Sequence, residues 1–262
     1  MADFGIKISS TGNDVKTATA AQLQYSSKWG NFKIHSIISQ TITLTGVSTT
    51  GNTTIGSPLS YSPMYFPYVN CSTIANKYRL GQMAGTISMP DDYNWSGVVC
   101  NYRPGTNDFY LQVTHTGSGT RVFTFKIVVF VDTFNGTGGS ITSASNYGAK
   151  ISKTSYGLLA TDDHMSMTSK FQNLTVSSSG IATTTSPATQ TNYAHGLSYV
   201  PIYLAFWDSG SGYYPIPDSR SAHSSTHHIE TWASSTNIYF EANCSGSINH
   251  NFKYLIFNEQ LV

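Results

Sequence analysis

Phe4-Gly5-Ile6-Lys7-Ile8-Ser9, near the amino terminus, returns as Tyr147-Gly148-Ala149-Lys150-Ile151-Ser152, and much of the chain then runs through the same order a second time. Ala18-Thr19 followed by Ser27-Lys28-Trp29-Gly30-Asn31-Phe32-Lys33-Ile34 is matched by Ala160-Thr161 followed by Ser169-Lys170-Phe171-Gln172-Asn173-Leu174-Thr175-Val176. Leu59-Ser60-Tyr61-Ser62-Pro63-Met64-Tyr65 is echoed by Leu197-Ser198-Tyr199-Val200-Pro201-Ile202-Tyr203. The closing Phe125-Lys126-Ile127-Val128-Val129-Phe130 is echoed by Phe252-Lys253-Tyr254-Leu255-Ile256-Phe257. Matched blocks in one order and at preserved spacing are the mark of an internal duplication. Two domains are therefore expected, residues 1–134 and 146–262, joined by a Gly/Ser/Thr-rich linker over 135–145. There the hydrophobic alternation stops and Gly136, Gly138 and Gly139 collect.

Composition gives the class. Only 10% of the 262 residues are charged while 13% are aromatic, and Ser, Thr, Asn and Gly fill much of the remainder. That is the chemistry of strands and polar turns. The chain holds three Glu, at 230, 241 and 259, and no window carries apolar residues at helical spacing over three turns. The expected fold is all-β, with two tandem antiparallel β-sandwich domains of jelly-roll-like form.

Local patterns place strands within each half. Gln22-Leu23-Gln24-Tyr25-Ser26 alternates, as does Met165-Ser166-Met167-Thr168, and each is expected to form a hairpin with a second strand ending at Ile34 or Val176. Pro63 and Pro201 should open the next strand, where a missing N–H does least harm. The most hydrophobic runs are Phe109–Val113 with Phe123–Val131, and Ile238–Ala242 with Phe252–Phe257. These are joined by Gly-Ser loops and should be central.

The net charge of +1 excludes a strongly electrostatic partner. Up to Ser140 there are nine basic and six acidic residues, and after it five and seven, so neither half presents the clustered cations of a nucleic-acid face. The chain passes directly from Met1 into the Phe4–Ile8 alternation without a basic region and apolar run. No signal peptide, no membrane insertion and synthesis in a host cytoplasm are expected. Cys71, Cys100 and Cys244 are odd in number and without paired spacing, which favours small, partly buried thiols over a Cys71–Cys100 disulfide.

Histidines offer the first candidate chemistry. His223, His227 and His228, with Glu230, offer metal-ligand types within one short stretch. Their spacing fits known sites poorly, and a helix that would bring His223 and His227 to one face is disfavoured by Ser224-Ser225-Thr226. A solvated loop or strand edge is expected, without a metal or other cofactor. His195-Gly196 reads as a turn; Ser57-Pro58 stands at the same place in the first half, so the shared fold does not require a histidine. Asp91-Asp92 and Asp162-Asp163 are adjacent acids better suited to turns than to the opposed carboxylates of a glycosidase. No complete catalytic constellation is present, so an enzyme is not expected.

Binding has better candidates. Tyr93 and Trp95 lie in Asp92-Tyr93-Asn94-Trp95, and Trp207, Tyr213 and Tyr214 lie in Trp207-Asp208-Ser209-Gly210-Ser211-Gly212-Tyr213-Tyr214-Pro215. Rings beside Asp and Asn suit stacking on sugars or packing against another subunit. The alternative is that they cover loop bases or fill core.

The run Phe4 to Ser9 leading to Ala18-Thr19 and Tyr25-Ser26-Ser27-Lys28, together with His195-Gly196-Leu197-Ser198-Tyr199-Val200-Pro201-Ile202-Tyr203-Leu204, resembles segments of structural proteins of tailed-bacteriophage particles. Tail-fibre, tail-tip and surface decoration proteins are the nearest kinds. The resemblance implies a virion component that assembles with itself, as a trimer or ring, and with other virion proteins. It carries no site residue onto this chain. A carbohydrate-binding module recognising host-surface glycan is the alternative expectation. A polysaccharide hydrolase using Asp162, Asp163 or the His223–Glu230 segment ranks third.

Overall fold

The structure is a computed structural model and describes residues 7–9, 23–26, 32–47, 49–73, 78–80, 87–89, 95–115, 117–133, 150–152, 165–168, 172–186, 189–208, 213–216, 222–224, 227–243 and 248–262. Among them there is no helix; the chain is all-β, in antiparallel sheets. The first half contains β1 (Lys7–Ser9), β2 (Leu23–Ser26), β3 (Lys33–Thr45), β4 (Thr49–Gly56), β5 (Pro63–Cys71), β6 (Tyr78–Leu80), β7 (Ile87–Met89), β8 (Trp95–Arg103), β9 (Asp108–His115) and β10 (Thr120–Thr133). The second contains β11 (Lys150–Ser152), β12 (Met165–Thr168), β13 (Gln172–Asn173), β14 (Val176–Thr185), β15 (Thr189–Ala194), β16 (Pro201–Asp208), β17 (Tyr213–Pro215), β18 (Ala222–Ser224), β19 (His227–Ala233), β20 (Asn237–Asn243) and β21 (Asn249–Gln260).

The pairings of the two halves correspond strand for strand. The first half pairs β3-β10-β5-β6 and β4-β9-β8-β7; the second pairs β14-β21-β16-β17 and β15-β20-β19-β18. Registers correspond too. Tyr65 lies opposite Val129 and Tyr203 opposite Ile256, while Pro63 faces Thr133 and Pro201 faces Gln260. Both prolines open their strands, as expected. The hairpin β1–β2 shifts register between Ile8 and Ser9, and β11–β12 shifts between Ile151 and Ser152, the same place.

Two local expectations are corrected. β2 and β12 pair with β1 and β11, not with the strands that follow them. Ile34 and Val176 begin long strands instead of ending short ones, because apolar residues continue along β3 at Ile37, Ile38, Ile42 and Leu44. The hydrophobic strands are central, as expected: β10 lies between β3 and β5, and β9 between β4 and β8. Each Gly-Ser loop, however, crosses from one sheet to the other.

Within the first half the sheets pack face to face. Ile42, Leu44, Tyr65, Val69, Phe123, Phe125, Ile127 and Val129 from one sheet meet Val98, Cys100, Phe109, Leu111 and Val113 from the other. β9 alternates buried and half-buried residues along its whole length, the period-2 pattern of a strand with one face inward. Gly51 sits where a Cβ would lie 2.4 Å from Leu44 Cδ2 and 2.8 Å from Ile42 Cγ2, so β4 needs glycine to cross there.

The halves are fused. β6 pairs with β19, Tyr78 opposite Ala233 and Arg79 opposite Trp232, and β13 adds to β3, making one nine-stranded sheet from both halves. The outer face of β3-β10-β5 also contributes Ile34, Met64, Tyr68, Val128 and Phe130 to the core of the second half. Val128–Val131 of β10 are consequently buried on consecutive residues, with one face in each core.

Candidate functional site

Tyrosines tie each pair of sheets together. The Tyr65 hydroxyl donates to the Cys100 carbonyl at 3.2 Å and accepts from the Tyr102 N–H at 3.1 Å. Tyr203, at the same register position, donates to the Thr231 carbonyl at 3.2 Å, and to the Tyr78 carbonyl at 3.1 Å. Burial pushes the Tyr65 hydroxyl up to about 12, and it pushes Tyr68 well above its ordinary value, so both remain protonated donors. Upstream, the Tyr61 hydroxyl donates to the Val131 carbonyl at 2.6 Å, and the Tyr199 hydroxyl donates to the Asn258 carbonyl.

The turn histidine has the same explanation. His195 is buried; its Nδ1 accepts from the Leu197 N–H at 3.1 Å and its Nε2 lies 3.0 Å from the Ser234 carbonyl. Those partners select the neutral tautomer with the proton on Nε2. In the first half the Ser57 hydroxyl accepts from the Leu59 N–H at 3.2 Å, doing for the backbone what His195 Nδ1 does. His195 is thus a turn residue, as its sequence context suggested.

Four of the five aromatic candidates fall on two different sheets. The β16–β17 hairpin sets Trp207 opposite Tyr214 and Asp208 opposite Tyr213, so three of them share one hairpin. Trp95 begins β8, opposite Met89 and His115. The side chains of Trp95, Tyr213 and Tyr214 lie outside the described residues, as does all of Tyr93. Trp207 is half-buried and packs against the second core, and its indole N–H donates to His250 Nδ1 at 3.3 Å. Burial holds the His250 imidazole below its ordinary value and therefore neutral, as that acceptor role requires.

His223 lies in β18, and His227 and His228 in β19; these two strands form a tight hairpin, so the helical arrangement is absent. Their side chains lie outside the described residues. Among the described residues no group of three His, Cys, Asp or Glu could hold a metal ion. Glu230 is not on a solvated edge. It is 4% exposed and its Oε2 lies 3.3 Å from Arg79 Nε across the fused strands, with the guanidinium 5.5 Å from the centroid of the Trp232 ring. Trp232 in turn stacks on Tyr239 at 5.3 Å. Charge, cation–π contact and stacking thus meet where the halves join, a cluster the sequence did not reveal.

Cys71 and Cys100 are thiols outside any disulfide, as expected, but they are fully and not partly buried in the first core, and burial pushes the Cys100 thiol far up. Asp91, Asp92, Asp162, Asp163, Cys244 and the 135–145 linker lie outside the described residues. The chain matches no protein-family model, no curated protein and no solved structure.

Proposed function

We propose that this chain is a non-enzymatic structural component of a virus particle, of the tailed-bacteriophage tail-fibre, tail-tip or capsid-decoration kind, built from two tandem β-sandwich units that arose by duplication. Support for the duplication is the repeated set of strand pairings together with the repeated tyrosine bonds, Tyr65 to Cys100 and Tyr203 to Thr231. The wiring within each unit is related to a jelly roll. First, eighth and third strands are neighbours in one sheet and second and seventh in the other, with the fourth and sixth exchanging places.

The observation that carries the structural reading is the fused nine-stranded sheet with a core shared between units. A continuous sheet stiffens a two-unit chain, and stiffness suits a part that transmits load instead of turning over substrate. Threonine and asparagine pairs line one end of the exposed face of β14 and β21, Thr183 to Asn251 at 2.8 Å and Thr185 to Asn249 at 2.7 Å, giving an ordered polar surface there. Gold-labelled antibody against the purified chain, applied to particles from the source culture, tests the assignment. Regular labelling at one place on the particle is the expected result; a chain found only outside particles would sink the reading.

Binding of host-surface glycan is the second reading, favoured by the hairpin that brings Trp207, Tyr213 and Tyr214 together. Trp207→Ala should then abolish retention on a glycan array that the wild-type chain binds. Loss of melting temperature without any glycan bound by the wild type would assign the ring to packing.

A further inference from the structure

We propose that the outer face of β14-β21-β16, with the edge of β17 turned away from β16, receives a second copy of this chain head to tail, repeating between copies the junction that β6 and β19 make within one. The inference rests on the two-unit repeat proposed above, and not on the virion assignment.

Its ground is a difference between corresponding faces. In the first unit the outer face is covered by the second: Tyr68 and Val128 are fully buried and Ile34 is 8% exposed. The registers of β3-β10-β5 and β14-β21-β16 make Phe206, Leu255 and Val176 their counterparts. These are covered less completely: Leu255 packs against the second core but stays half-buried. Phe206 and Leu255 are half-buried, Val176 is 41% exposed, and Ile181 beside them is 63% exposed. Cross-strand pairing sets Ile181 opposite Lys253 and Lys253 opposite Phe206, with Leu255 between Ser179 and Leu204 in the next row. The face therefore has an apolar strip around Lys253, bordered by the polar row of Thr183, Asn251 and Asp208, and such strips mark contact surfaces.

The edges agree with the faces. β6 is paired on one side with β5 and on the other with β19, whereas its counterpart β17 pairs only with β16 among the described residues. The surface that would meet β17 is defined by the same correspondence. Trp232 and Ala233, which receive β6, match Asn101 and Tyr102 of β8. Those two pair only with β9 among the described residues, since β7 reaches no further than Val98. Asn101 also holds a buried Oδ1 with no hydrogen-bond partner among the described residues. Tyr214 of one copy would then lie opposite Asn101 of the next, and Tyr213 opposite Tyr102. One chain thus carries one used junction and the two unused halves of another, which is the definition of a heterologous contact that closes into a ring or runs on as a filament. Tyr214 and Val99 stand where Arg79 and Glu230 stand in the internal junction, so the ion pair is not repeated, and the contact between copies depends on concentration.

The test uses the full chain with Cys244→Ser, in which Cys71 and Cys100 are buried thiols. Chains carrying Tyr214→Cys and Asn101→Cys are oxidised separately and mixed. A covalent dimer that forms only in the mixture is expected. Ile181→Arg, added to the Tyr214→Cys chain, should lower its yield by at least about tenfold by setting a second cation beside Lys253 in the interface, with no change in melting temperature. A dimer from Tyr214→Cys alone would overturn head-to-tail geometry, and no dimer in the mixture at millimolar protein would overturn the contact. Particle labelling without the mixed dimer removes this contact and leaves the virion reading. The mixed dimer in a chain absent from particles supports the contact and removes the virion reading.

Discussion

The Tyr68 hydroxyl donates to the Tyr203 carbonyl at 2.6 Å, and the Tyr203 N–H lies 3.3 Å from that hydroxyl, so one phenol in the first half is bonded to both backbone groups of one residue in the second. The two rings pack at 5.5 Å, and Tyr203 also ties together the sheets of its own half. Strain on one half is transmitted to the other through a residue buried in a shared core.

Tyr68→Phe keeps the ring and leaves a buried carbonyl and N–H short of a partner, at an expected cost of about 1–3 kcal/mol. Tyr68→Ala adds a cavity and should cost about 3–5 kcal/mol. Calorimetry of either variant should show one transition shifted as a whole. Two separated transitions, with only one displaced, would mean that the halves unfold independently.

Arg79 and Glu230 are 3% and 5% exposed at the side chain, so their ion pair is fully desolvated. Glu230→Leu leaves a buried guanidinium without its carboxylate and should lower stability by about 3–5 kcal/mol. Adding Arg79→Met should restore most of that loss, because an apolar pair of similar volume carries no desolvation cost. Urea midpoints for the two single variants and the double variant measure this as a coupling energy. Additive losses would show that the pair does not act as a unit.

The matching strand pairings of the two halves were legible because their signals are local: a Pro at the start of β5 and β16, a Tyr two residues before it and another two after it, and an apolar run closing each half. Those residues proved to make corresponding bonds, Tyr61 with Val131 and Tyr199 with Asn258. The turn role of His195 was legible for the same reason, through comparison with Ser57. What could not be read is how the halves meet. Arg79, Glu230 and Trp232 lie far apart in sequence, and neither Lys77-Tyr78-Arg79 nor His228-Ile229-Glu230 carries a pattern that marks a fused sheet edge. Proximity in sequence groups Glu230 with the histidines, and it is the only context the sequence displays for this residue. Alternation reveals which face a strand buries and not which strand lies beside it, so it does not identify the partners of β2 and β12.

Glu259 is 4% exposed, and its carboxylate accepts from the Thr175 N–H at 2.9 Å and from the Thr175 hydroxyl at 2.7 Å. Burial outweighs these bonds and raises its pKa above the ordinary 4.5. The folded chain therefore holds this proton more tightly than the unfolded one, so the contribution of Glu259 to stability is complete below 4.5 and is lost as pH rises through the raised folded value. Glu259→Gln should remove that slope from urea midpoints measured between pH 4 and 7, while the amide retains an acceptor for the Thr175 N–H. An unchanged slope would assign the pH dependence to another group.

His250 titrates in the opposite sense. Burial lowers its pKa from the ordinary 6.5, so the unfolded chain takes up this proton first, and stability falls as pH drops below 6.5 toward the folded value. Protonation also removes the lone pair on Nδ1 that accepts from the Trp207 indole at 3.3 Å, with the rings 6.1 Å apart. An imidazolium at that distance quenches indole emission, so acid titration of the native chain should show a fluorescence loss with a midpoint below 6.5. Trp207→Phe should abolish the change, and His250→Phe should abolish it while leaving Trp207 emitting. If the step survives in both variants, another of the four tryptophans reports a different event, and the Trp207–His250 bond is not the pH-sensitive contact.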